Sequence, residues 1–181
     1  ETMGATYEVK AAVLAAKENT SLPVFVTCAF DASGKTFTGA DCEAVAALLE
    51  GLRVDAFGLN CGLGPDELYP VIKKFTEIAS KPLIFNPNAG LPKQKDGATY
   101  FEVEPQAFAS SMRKAARLGL GVMGGCCGTT PDHMSAMIKV CRDIPARKIA
   151  DKGFTMVSSY THAVRIGEKP VIVGERINPT G

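Results

Sequence analysis

The chain has 181 residues, of which 46% are hydrophobic and 22% charged, a balance that excludes a disordered, highly charged segment. With 20 Lys and Arg against 19 Asp and Glu the formal net charge is +1, so no global field gathers nucleic acid or an anionic membrane. No apolar run reaches the ~20 residues that span a bilayer and no signal sequence precedes the first helical pattern. A folded, soluble, cytoplasmic protein with neither nucleic-acid nor membrane partners is expected.

Glu1-Thr2-Met3 reads as a strand end running into a helix, so the sequence is expected to start within a longer protein. From Gly4 to Asn19 the positions Ala5, Val9, Ala12, Val13 and Ala16 follow helical spacing. Pro23 to Cys28 is a short β-branched and aromatic run, and Asp31 to Gly39 is a loop. Helix is expected over Ala40–Leu52, strand over Val54–Asn60, and helix from Pro65 to about Ala79, opened by Pro65 and Asp66. There follow a strand at Pro82–Phe85, a polar loop over Asn86–Ala98, a helix at Pro105–Leu118, a strand at Gly121–Gly124 and a helix from Pro131. Short, nearly continuous apolar strands alternating with longer helices indicate an α/β protein built from parallel β/α units. The pattern alone fits both a closed eightfold barrel and an open doubly wound sheet.

After Cys141 the composition turns charged and then polar, and residues 151–170 read as a linker. Val171–Gly174 is a new strand-like run, followed by Glu175-Arg176-Ile177-Asn178-Pro179-Thr180-Gly181.

Six cysteines in an intracellular protein point to thiolate chemistry or metal rather than to disulfides. Cys61 ends one expected strand, and Cys126-Cys127 follow another at a glycine-flanked turn. Active sites of α/β proteins form at strand C-termini, so the three sulfurs can converge there. Three thiolates fill three tetrahedral positions of Zn²⁺ and leave a fourth for substrate, as catalytic zinc sites do. A redox thiol pair is the alternative on spacing alone, and Cys28, Cys42 and Cys141 are expected to be small buried hydrophobes. His133 is expected in the first turn of the helix opened by Thr130-Pro131-Asp132, as a surface or cap-adjacent residue rather than a fourth ligand, and His162 in solvent. Asn86, Asn88 and Gly90 lie on the same strand-end face, where amides can bond a polar substrate or simply form a turn.

Gly58-Leu59-Asn60-Cys61 together with Gly124-Gly125-Cys126-Cys127-Gly128-Thr129-Thr130-Pro131-Asp132-His133 closely resembles the two motifs of the zinc-dependent homocysteine S-methyltransferase family. Glu1-Thr2-Met3 resembles the family's strand-end glutamate motif. The resemblance implies a (β/α)8 TIM barrel, of which residues 1–150 would hold the later half. It makes Cys61, Cys126 and Cys127 ligands of zinc (Zn2+), Glu1 a contact for the homocysteine amino group, and Asn88 a contact for the amino-acid end. Residues 171–181 resemble the opening of the folate-binding barrel that follows in cobalamin-dependent members. There the methyl group comes from methylcobalamin, bound by a part of the enzyme outside this sequence, and the folate- and cobalamin-binding domains are the implied partners. The resemblance thus implies a methyltransferase that converts homocysteine to methionine, with this fragment inactive and a poor zinc binder by itself. A cobalamin-independent enzyme using a sulfonium or betaine donor, and a noncatalytic zinc-binding or redox module, are the competing readings.

Overall fold

A computed structural model describes residues 1–167 and 169–172. Its centre is a four-stranded parallel sheet in the order β1-β2-β3-β6, with β1 at Phe25–Cys28, β2 at Ala56–Asn60, β3 at Leu83–Asn86 and β6 at Val122–Met123. The register places Cys28 beside Leu59, Leu59 beside Phe85, and Asn60 beside Asn86, so the strands end level with one another. Met3 extends the sheet by one residue, bridging Cys28 in parallel. All five residues of β2 are buried, which is why this strand reads as an unbroken apolar run rather than an alternation.

Five helices cover the sheet: α1 Thr6–Asn19, α2 Cys42–Gly51, α3 Pro65–Ile78, α4 Pro105–Ala116 and α5 Pro131–Cys141. Local signals fix their starts. The Asp41 side chain accepts the Ala44 N–H at the head of α2, and proline occupies the first turn of α3, α4 and α5, where a missing N–H costs nothing. Phe75 on α3 lies edge-on to Phe30 and Phe57, with ring centroids 5.6 Å apart in both pairs, at the centre of the apolar core. The expected helix and strand order is observed, with ends shifted by a few residues. Among the described residues no helix is long and apolar enough to cross a membrane.

Two antiparallel hairpins interrupt stretches expected to be irregular. In the expected polar loop, β4 (Lys93–Lys95) pairs with β5 (Ala98–Tyr100). In the stretch read as a linker, β7 (Thr155–Ser158) pairs with β8 (Ala163–Ile166). The second hairpin is held against the body by side chains distant in sequence. Lys152 pairs with Glu50 at 2.5 Å, Arg165 with Glu43 at 3.3 Å, and Tyr160 stacks on Tyr7 with centroids 4.9 Å apart. Just before it, the Arg147 guanidinium donates to the carbonyls of Thr76, Ala79 and Lys81, closing the C-terminus of α3. Val171 and Ile172 are outside any strand, and the rest of the expected folate-domain opening, residues 173–181, lies outside the described residues.

Candidate metal centre

The level strand ends put three sulfurs together. Cys61 follows Asn60 at the end of β2, while Cys126 and Cys127 lie in the turn between β6 and α5. Cys61 Sγ is 3.7 Å from Cys127 Sγ, Cys126 Sγ is 3.9 Å from Cys127 Sγ, and all three lie within 4.8 Å of one another. Tetrahedral zinc with Zn–S bonds of ~2.3 Å requires sulfurs about 3.8 Å apart, so the donor set fits that ion in both chemistry and spacing. Among the described residues no further His, Cys, Asp or Glu joins the cluster.

The backbone around the sulfurs is unusual and tightly bonded. Cys61 has φ +63°, in the left-handed region, and its N–H donates to the Asn86 carbonyl at 3.1 Å. The Cys126 N–H donates to Pro87 O at 2.8 Å, and the Cys127 N–H donates to Asn88 Oδ1 at 3.0 Å. Gly128 has φ +79°, and a side chain there would enter the Phe101 ring, so the loop after the first hairpin packs directly on the cysteine turn. Thr129 Oγ1 closes the turn by donating to Cys126 O at 2.7 Å.

The thiols are electrostatically unequal. Partial burial pushes the Cys61 thiol up, but bonds from the Gly62 N–H and from the Cys127, Cys126 and Asn88 side chains outweigh it and hold it below the ordinary thiol range. Cys127, sharing a hydrogen bond with Cys61 and partly desolvated, is pushed up to about 11. Cys28 and Cys42, buried as expected, are pushed up to about 12 and about 11 by desolvation. Cys141 is half-buried.

Of the other residues expected at the site, Asn88 is buried and touches the cysteine turn directly. Glu1 is exposed and is joined to the cluster only through its neighbour: the Thr2 N–H donates to Asn60 Oδ1 at 2.8 Å. His162 is exposed, as expected. His133 is the cap-adjacent residue expected in the first turn of α5, but it does not lie at the surface. It is buried, caps α5 reciprocally with Thr130, and brings Nε2 within 2.8 Å of the Val103 carbonyl. A histidine at the third helical position can fill the role that Glu or Gln fills in a capping box, and this ring also reaches a carbonyl 30 residues away. Sequence reasoning did not single out Asn60, which is 3% exposed and whose Nδ2 lies 3.7 Å from Cys126 Sγ. Its one signal was a polar residue closing an otherwise apolar buried strand.

The family model described as homocysteine S-methyltransferase matches residues 1–141. Methionine synthases of Mycobacterium leprae (strain TN) and Mycobacterium tuberculosis (strain ATCC 25618 / H37Rv) are 33% and 30% identical over the whole chain, which spans only 16% of the length of each. The homocysteine methyltransferase MmuM from Escherichia coli, in its oxidized form, aligns over 76% of this chain and 42% of its own, with TM-score 0.60 and 21% identity. Its metallated form aligns over 75% and 41%, with TM-score 0.59 and 22% identity. This likeness identifies the parallel β/α units as part of a TIM-barrel fold.

Proposed function

The chain belongs to the homocysteine S-methyltransferase family, and from that premise we propose that it is the metal-bearing part of a methionine synthase, in which Cys61, Cys126 and Cys127 hold Zn²⁺ and homocysteine is the methyl acceptor. The observation that carries this reading is the spacing of the three sulfurs, 3.7 and 3.9 Å for two pairs and under 4.8 Å for all, on loops that the sheet register holds together. When bound, Zn²⁺ would supply Lewis-acid stabilisation of the substrate thiolate, lowering the substrate thiol's pKa below its free value of ~8.5.

The chain's own residues do the rest. Three cysteine thiolates would bring three negative charges to the site and so would keep the substrate sulfur electron-rich, a nucleophile toward the donor's methyl group. Asn88, by accepting the Cys127 N–H, fixes the turn that presents two of the three sulfurs. In this reading Asn88 also contacts the amino-acid end of homocysteine and Glu1 its amino group.

The donor in this reading is methylcobalamin, held by another part of the longer enzyme. In this reading residues 1–150 belong to the later half of the homocysteine barrel, 151–170 to the connection to the next domain, and 171–181 to the opening of the folate-binding barrel. The small span relative to the mycobacterial methionine synthases supports further domains as partners. Packing of the second hairpin against α2 gives that connection a defined course.

Elemental analysis of the purified chain, with Cys61→Ala and Cys126→Ala in parallel, tests the reading. About one zinc per chain, lost in both variants, supports it. Release of a proton when homocysteine binds the metal-loaded chain separates an enzyme module from a metal-binding or redox module, which would release none.

A further inference from the structure

The last residue of β2 has both ends of its amide engaged. Asn60 Oδ1 accepts the Thr2 N–H at 2.8 Å, and Nδ2 donates to Thr2 Oγ1 at 2.7 Å while lying 3.7 Å from Cys126 Sγ. One buried side chain thus touches both the segment carrying Glu1 and a sulfur of the cluster, 58 and 66 positions away. Thr2 is itself strained. Its φ is +57°, a left-handed conformation that β-branched residues avoid and that persists only where surrounding bonds over-determine it. Asn60 supplies two of those bonds. The sheet supplies the next two, from the Met3 N–H to Thr27 O at 3.1 Å and from the Ala29 N–H to Met3 O at 3.0 Å.

We propose that Asn60 is a positioning residue: it holds Thr2 in its strained turn so that Glu1 and the thiol cluster face the substrate in one fixed register. This deepens, and rests on, the reading of the cluster as a homocysteine site. A substrate gripped at its sulfur and at its amino group needs these two grips a set distance apart, and Asn60 is the side chain that touches both supports. If it merely satisfied buried polar groups, its loss would weaken every ligand of the site alike. As a positioning residue it acts on amino-acid thiols and leaves plain thiols unaffected.

The test uses the 181-residue chain loaded with Co²⁺, whose sulfur-to-metal charge-transfer intensity counts bound thiolates and whose visible bands shift when a fourth ligand enters. Asn60→Ala is expected to keep the charge-transfer intensity and the 2-mercaptoethanol midpoint, and to raise the homocysteine midpoint by about 10-fold or more. Asn60→Asp, which keeps the acceptor for the Thr2 N–H, is expected to recover part of that loss. Should circular dichroism show Asn60→Ala unfolded, Thr2→Gly carries the test, because glycine accepts φ +57° without strain and removes the Oγ1 contact. Because the Thr2 N–H still reaches Asn60 Oδ1, a smaller loss with the same selectivity for homocysteine is expected of it. A folded variant with the original homocysteine midpoint, or with equal weakening of both thiols, overturns the role of Asn60. An unsubstituted chain that binds Co²⁺ through its thiolates yet ignores homocysteine overturns instead the homocysteine reading on which it rests.

Discussion

Asn88 and Cys127 meet across 39 positions of chain: the side-chain carbonyl of one accepts the backbone N–H of the other at 3.0 Å. The bond ties the loop after β3 to the cysteine turn after β6, and it is made on the interior side, where Asn88 is 3% exposed. Removing it leaves a donor beside the sulfurs without its partner. Asn88→Ala is therefore expected to cost ~1–3 kcal/mol of stability and to weaken zinc binding about 10- to 100-fold. Asn88→Asp, which keeps the acceptor, should recover much of the stability. Competition with a chromophoric zinc chelator measures the first effect, and thermal melts the second. Unchanged zinc affinity in the alanine variant would show that the turn holds its shape without Asn88.

Thiol reactivity should divide the cysteines into two groups. Cys28 and Cys42 are buried with thiols pushed to about 12 and about 11, whereas Cys127 is exposed and Cys61 is held below the ordinary range. Mass mapping after brief iodoacetamide treatment near pH 8 is expected to find label chiefly on Cys61, slow labelling of the exposed but protonated Cys127, and none on Cys28 or Cys42. Added zinc should protect Cys61, Cys126 and Cys127 together. Protection of only one of them would contradict a shared ion.

Zinc affinity should rise with pH. A ligating cysteine must lose its proton, and Cys127, pushed up to about 11, carries one in the metal-free chain throughout the neutral range. Displacing that proton alone adds about tenfold in apparent affinity per pH unit between roughly pH 6 and 8. Cys61, whose thiol is held down by the bonds it accepts, gives up its proton more readily than Cys127. Isothermal titration in buffers of different ionisation enthalpy counts the protons released, and a pH-independent affinity would rule out thiolate ligation.

Two glycines with nearly equal φ separate backbone conformation from contact. Gly97, φ +78°, faces open space, while a side chain on Gly128, φ +79°, would enter the Phe101 ring. Gly97→Ala should therefore cost only the ~1 kcal/mol of a left-handed alanine, and Gly128→Ala at least ~2 kcal/mol more, with reduced zinc content. Denaturant melts of both variants give the comparison. Equal losses would mean that Phe101 moves aside freely.

Much of this architecture was legible in the sequence because its signals are local. The buried run Ala56–Asn60 and the Pro65-Asp66 helix start read directly, as did the cysteines at the ends of expected strands. The hairpins did not. Every residue of Lys93–Lys95 and Ala98–Tyr100 is exposed, so neither strand carries the apolar alternation that announces a sheet face. The 155–166 hairpin depends on Glu43, Glu50 and Tyr7, more than 100 residues earlier, for its anchorage. At the site the ligand types could be read, whereas Asn60 could not: its role arises from a contact with Thr2 that only the folded sheet creates.

Strand β3 stands between the strand that ends at Cys61 and the one that leads to Cys126, so the sulfurs meet across an intervening neighbour. A slip of one residue in either pairing would move a cysteine by ~3.3 Å and turn its side chain to the other face. That displacement is comparable to the 3.7 Å between Cys61 and Cys127 sulfurs. Bound metal is therefore a gauge of strand alignment, and its content in a preparation counts the molecules in which β2, β3 and β6 have paired correctly.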